Sequence, residues 1–215
     1  NPWVAYWEST DDRMRVAHYV GSGGTGCDTT GVSNTTWTGK WTCTTIGASP
    51  LKNTGQDLGI VVDATNTPWV SMWNYADNRM RIAKYVSSGG TGCTTTAWTC
   101  EDVDGSGGYT SMALDQSGMP WVSYSGSSGV LRVAQYTGGS GTGCSISSNW
   151  TCSTADNNTA TFFDTSLAFD PAGQPWISSY DSTGRYLKLS RYVGSGGSGC
   201  GSGVTAWKCS IIDSS

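Results

Sequence analysis

TSMALDQSGMPWVSYSGSSGVLRVAQYTGGSGTGCSISSNWTCSTAD, residues 110–156, recurs with variations four times along this chain. An alternating run closed by Asp115 leads through a turn at Gly118 into a Pro-Trp strand. A third apolar run, a Gly/Ser stretch, Cys144 and a Trp-Thr-Cys triplet follow. PWVAYW at 2–7, PWVSMW at 68–73 and PWISSY at 175–180 restate the same phrase, so Trp3, Trp69, Trp121 and Trp176 recur at intervals of 52 to 66 residues. That length suits one four-stranded propeller blade. Period-two alternation puts Trp121 and Ser123 on one face of the Pro-Trp strand and Val122 and Tyr124 on the other. Both faces carry apolar groups, as expected of a sheet held between neighbouring sheets.

The expected fold class is therefore all-β, a β-propeller of four-stranded antiparallel blades, forming one domain over 1–215. The repeats cover about 1–49, 56–105, 108–157 and 160–215. Inner strands are expected at 57–63, 110–115 and 165–170, each closed by an Asp whose carboxylate bonds to the amides of the next turn. The first repeat lacks its inner strand, because the chain opens at Asn1 directly before strand two, as a processed chain or a fragment would. Either the four repeats close by themselves, or they belong to a larger propeller, or another chain completes the open edge.

Of the 215 residues 13% are charged and 30 are glycine, a mix that favours short strands and tight turns over helices. The net charge of −4 and the lack of any Lys/Arg cluster argue against nucleic acid as a partner. No apolar run reaches the roughly 18 residues that a membrane span needs, so membrane insertion is not expected.

The eight cysteines fall one local pair to a repeat: Cys27 with Cys43, Cys93 with Cys100, Cys144 with Cys152, and Cys200 with Cys209. Eight cysteines allow 105 connectivities, but equivalent repeats should form equivalent bonds. A zinc site would need four ligands together, and the chain has a single His and no two-residue cysteine spacing. Four disulfides predict an extracellular or cell-surface location. Neither metal nor cofactor is expected.

The pattern S-[LM]-A-[LF]-D-x-x-G-x-P-W-[VI]-S-x-Y followed by L-[RK]-[VL]-[AS]-x-Y, at 111–136 and 166–192 and more loosely at 58–85 and 2–19, resembles the sialidase-like (BNR-type) β-propeller repeats. The Asp-box of that family is not intact: the turn between strands three and four reads G-[ST]-G-C instead, a covalent staple where the family has a hydrogen-bonded turn. What the resemblance implies for catalysis is three arginines on a substrate carboxylate, a Tyr/Glu nucleophile pair and an acidic proton donor. Arg15, Arg81, Arg132 and Lys188 occupy equivalent places around the repeats, so they are expected to be surface charges with buried stems rather than one focus. Glu8 and Glu101 are the only glutamates, and His18 shares a variable slot with Lys84, Gln135 and Arg191.

These readings point to a non-enzymatic extracellular module that adheres to a glycan or protein surface. The alternatives are a structural subunit of a filament, sheath or surface layer, self-associating through the open first blade, and a sialidase-like glycoside hydrolase. Candidate ligand-binding residues are Trp7, Trp73 and Tyr180, which end strand two at one rim, with Asp77 and Asp181 in the adjoining loops. The same loops hold Glu8, Asp11, Asp12, Asn74, Asp102, Asp104, Asp156 and Asp164. Asn34, Asn149 and Asn157 lie in N-x-[ST] sequons and are candidate glycosylation sites.

Overall fold

Every apolar alternation in the repeat becomes a strand, and each Gly/Ser stretch becomes the connection that reverses it. The computed structural model describes residues 1–11, 13–28, 36–47, 54–158 and 162–214, with the side chains of 54–56 excepted. The first sheet has three strands, β1 (Trp3–Glu8), β2 (Arg13–Tyr19) and β3 (Trp41–Gly47). The second has four: β4 (Thr54–Val62), β5 (Pro68–Asn74), β6 (Arg79–Tyr85) and β7 (Trp98–Asp104). The third is β8 (Gly108–Leu114), β9 (Pro120–Ser125), β10 (Leu131–Tyr136) and β11 (Trp150–Asp156). The fourth is β12 (Phe162–Phe169), β13 (Pro175–Asp181), β14 (Tyr186–Tyr192) and β15 (Trp207–Ser214). All four are antiparallel meanders in chain order, and the one helical piece among the described residues is a short turn at Ser127–Gly129.

The turn from first to second strand is built the same way three times. Asp63 Oδ1 accepts the N–H groups of Thr65 and Thr67, Asp115 Oδ1 those of Ser117 and Met119, and Asp170 Oδ1 those of Ala172 and Gln174. The other carboxylate oxygen takes the indole N–H of Trp69, Trp121 or Trp176, each at 3.0 Å. The recurring Trp is thus tied at its rim to the turn while its ring packs on neighbours. Trp69, for example, meets Tyr136 of the third sheet at 4.9 Å between ring centroids.

The four cysteine pairs form within their own repeats, with Cα separations of 4.7 to 5.0 Å. Glycine before each first cysteine is required twice over. Gly143 has φ +80°, and a Cβ there would lie 2.3 Å from the Cys152 carbonyl oxygen; Gly26, Gly92 and Gly199 are held the same way.

Three apolar layers fill the spaces between successive sheets. Met14, Val16 and Ile46 meet Val70, Met72 and Ala83; Met80, Ile82 and Val103 meet Val122, Tyr124 and Ala134; Leu131, Val133 and Ala155 meet Ile177 and Trp207. Trp98, Trp150 and Trp207, each at most 1% exposed, anchor the outer strands. At roughly 25 cal/mol per Å² over ~150–250 Å², each represents on the order of 4 kcal/mol of transfer free energy.

One expectation is corrected in these layers: the strand-three cations are not surface charges. Arg132 Nε lies 3.3 Å from Asp104 of the preceding sheet, and Lys188, 4% exposed, lies 2.5 Å from Asp156 of the preceding sheet and 3.8 Å from Asp181. Arg81 has Gly47 where those sheets have Asp, and it turns instead to Asp102 of its own sheet at 2.6 Å. A hydrophobic stem beside apolar neighbours had signalled partial burial; only the stacking of sheets brings a carboxylate to the head groups of Arg132 and Lys188.

Candidate functional site

Inner strands β4, β8 and β12 contact one another in succession, and each is broken at the same place. Their pairing register jumps between Gln56 and Gly59, Gly108 and Ser111, and Phe163 and Ser166. At the break a non-glycine residue takes left-handed backbone: Asp57 (φ 58°), Tyr109 (φ 54°) and Asp164 (φ 50°). Such a conformation costs on the order of 1–3 kcal/mol per residue and persists only where surrounding bonds hold it.

Those bonds are threonine hydroxyls reaching across from the next sheet. Thr110 donates to the Asp57 carbonyl, and Thr165 Oγ1 donates to the Tyr109 carbonyl at 2.6 Å. Behind them, the Gly59 N–H donates to Ser71 Oγ, whose hydroxyl donates to Thr110 Oγ1 at 2.9 Å; Ser123 meets Thr165 at the same distance. Ser71, Thr110, Ser123 and Thr165 are all buried. Buried, satisfied hydroxyl pairs of this kind fix one geometry.

The result brings two carboxylates and a phenol together. Tyr109 donates its backbone N–H to Asp57 Oδ2 at 3.0 Å. Burial raises the Asp57 pKa above the ordinary carboxylate value; the Tyr109 N–H opposes this and the Asp164 charge adds to it. Burial likewise raises the Tyr109 phenol, reinforced by the charges of Asp57 and Asp164. Asp164 itself is exposed.

An aromatic string passes through this cluster. Tyr75 meets Trp73 at 4.8 Å, Trp73 meets Tyr109 at 6.2 Å, Tyr109 meets Phe163 at 4.6 Å and Phe163 meets Tyr180 at 6.5 Å. Gly108 allows the approach, since a Cβ there would stand 3.2 Å from the Trp73 ring.

Among the residues expected from sequence, Trp73 and Tyr180 join this string, and Trp73 also donates its indole N–H to Asn78. Trp7 holds the equivalent place in β1, opposite Met14. Asp77 accepts from the Asn74 amide at 3.0 Å. Asp181 is buried, accepts the N–H groups of Thr183 and Gly184, and neighbours Lys188. The side-chain amides of Asn149 and Asn157 donate to Glu101 and to the Ser202 carbonyl. Asn34, like Asp12, lies outside the described residues. His18 stacks on Trp3 at 3.9 Å, as Lys84 sits over Trp69 and Arg191 over Trp176.

Asp57 and Tyr109 were not singled out by the sequence reading, and Asp164 figured only as one loop acid among many. A signal was there: each stands six residues before the Asp that closes the inner strand, at 63, 115 and 170.

No protein-family model and no curated protein matches the chain. Similar solved structures are an α-L-arabinofuranosidase from Lactobacillus brevis (10% identity, 64% of this chain and 49% of that one, TM-score 0.43), a protein from Bifidobacterium bifidum s17 assigned as an exo-β-1,3-galactanase (10%, 87% and 66%, TM-score 0.46), and an exo-β-1,3-galactanase from Clostridium thermocellum (11%, 96% and 51%, TM-score 0.43). This chain spans between half and two thirds of their lengths. All three are glycoside hydrolases, and that finding corrects the expectation of a non-enzymatic module. The bulges turn toward one another polar groups that strand alternation had left scattered.

Proposed function

We propose that this chain is a glycoside hydrolase acting on neutral glycans, with Asp57 and Asp164 as its carboxylate pair and the Tyr109 hydroxyl beside them. The observation that carries the reading is the Asp57, Tyr109 and Asp164 cluster, held on three equivalent left-handed bulges and flanked by aromatic rings.

A partly buried carboxyl whose pKa is raised by burial, set beside an exposed one, suits acid and base roles. Asp57, partly buried and with its pKa raised, is the acid that delivers a proton to the glycosidic oxygen as the bond from the anomeric carbon to that oxygen breaks. Exposed Asp164 accepts a proton from the water that supplies hydroxyl to the anomeric carbon. Proton return from Asp164 to Asp57 through solvent completes the cycle. The phenol of Tyr109, kept protonated, donates a hydrogen bond to a sugar oxygen, and the string from Trp73 to Tyr180 offers apolar faces for sugar rings.

Neutral substrates fit because five of the seven arginines are engaged elsewhere. Arg79 and Arg81 pair with Asp102, Arg132 pairs with Asp104, Arg15 donates to the Gly26 carbonyl and Arg191 covers Trp176. A sialidase-type clamp on a sugar carboxylate has no arginines to form it among these. We read the four sheets as successive propeller blades, and the four disulfides support a location in an oxidising compartment outside the cytosol.

A panel of neutral oligosaccharides and aryl glycosides tests the assignment. Asp57→Asn and Asp164→Asn should each lower kcat/KM on oligosaccharides by about 10²–10⁴, with unchanged folding. Asp57→Asn should spare aryl glycosides whose leaving group needs no proton, and should abolish the fall in rate seen as pH rises through the Asp57 pKa. Parent activity in both variants, or no hydrolysis of any neutral glycoside by the parent, defeats the reading.

A further inference from the structure

The two ends of the sheet series expose complementary faces. In the second, third and fourth sheets, the residue after the strand-two Trp packs against the preceding sheet: Val70, Val122 and Ile177 are each 0% exposed, whereas Val4 in the first sheet is 45% exposed. In the first three sheets, the next-to-last repeat position of strand four packs against the following sheet. Ile46, Val103 and Ala155 are 1%, 0% and 0% exposed, but Ile212 in the fourth sheet is 57% exposed.

Charge follows the same rule. Asp104 and Asp156, at the end of strand four, receive the strand-three cations Arg132 and Lys188 of the following sheet. Asp213 holds that repeat position in the fourth sheet and is exposed. Arg15 holds the cation's position in the first sheet. Its guanidinium donates to the Gly26 carbonyl as Arg132 donates to that of Gly143; the buried Nε of each makes no hydrogen bond, but Arg132 Nε lies 3.3 Å from the Asp104 carboxylate, and no carboxylate among the described residues forms an ion pair with Arg15. Beside it, Val4, Tyr6, Ala17, Trp37 and Trp41 line a groove of about 790 Å³.

We infer that the first-sheet face is an interface for a second copy of this chain, whose fourth-sheet face supplies Ile212 to cover Val4 and Asp213 to pair with Arg15. The apolar half of the contact repeats three junctions already made inside the chain, and the ion pair repeats two of them. Because it is head-to-tail, two such contacts close a two-chain ring, and unmatched rotation extends an open series.

Analytical ultracentrifugation of the 215-residue chain over a concentration series tests this. The parent should sediment as a dimer, or as a series of oligomers, at concentrations well below about 100 µM. Arg15→Asp and Asp213→Arg should each raise the dissociation constant about tenfold or more, and the double variant should recover association. Ile212→Asp should separate the copies without changing the melting transition of the monomer, a check that the loss is not misfolding. A parent that stays monomeric to about 100 µM, or a dimer indifferent to both charge reversals, overturns the inference. Neither result touches hydrolysis by the monomer.

Discussion

Asp170 shows how much one side chain does in this repeat. It accepts two turn amides and the Trp176 indole, and the indole bond, followed by the Gln174 amide, holds its carboxyl below the ordinary value. A depressed folded-state pKa stabilises the protein above the unfolded carboxyl's pKa of about 3.9, and that contribution is lost as pH falls through the lower folded value. Thermal melts of Asp170→Asn should therefore show a lower midpoint at neutral pH and a shallower loss of stability on acidification below about pH 4. The amide-binding half of this turn was legible from Asp-x-x-Gly and its neighbours. The indole half was not, because a contact across six residues needs the turn's actual path.

The inner strands β4, β8 and β12 tell the opposite story from the Gly-Cys corners. At the corners sequence and structure agree: G-[ST]-G-C followed by Trp and a second Cys reads as a stapled turn, and the staple forms in every repeat. Gly143→Ala should then destabilise by about 2–4 kcal/mol, since it forces a side chain into left-handed backbone and against the Cys152 carbonyl. Chemical denaturation reads that change directly; an unaltered midpoint would mean that the corner relaxes freely. In the inner strands, alternation is a reliable guide only as far as Gly59, Ser111 and Ser166. Beyond the bulge the pairing register shifts, faces exchange, and Asp57, Tyr109 and Asp164 come to lie together. A period-two pattern has no memory across a bulge, which is why the sequence reading favoured a binding rim and passed over the carboxylates.

Stacking of the sheets places Arg132 and Lys188 against carboxylates that no local pattern announces. Burial pushes the Tyr124 phenol far above its ordinary pKa, so it remains a donor to Asp104 at 2.7 Å, alongside Ser145 and Arg132. Asp104→Ala strands a buried phenol and a guanidinium between two sheets and should cost about 3–5 kcal/mol. Removing Asp213, which meets no cation among the described residues, should leave the monomer's stability within about 0.5 kcal/mol of the parent. Calorimetry of both variants separates a junction carboxylate from a terminal one, and equal effects would contradict the layered account.

The sequence by itself determined the repeat, the strands, the pairing of cysteines and the all-β class, because each depends on periodicity and on neighbours within a single unit. Only the tertiary structure decided which polar groups converge. Inter-sheet ion pairs, threonine relays and the Asp57, Tyr109 and Asp164 cluster join residues far apart in the chain, and their meeting is set by bulges and by sheet stacking rather than by any spacing along the chain.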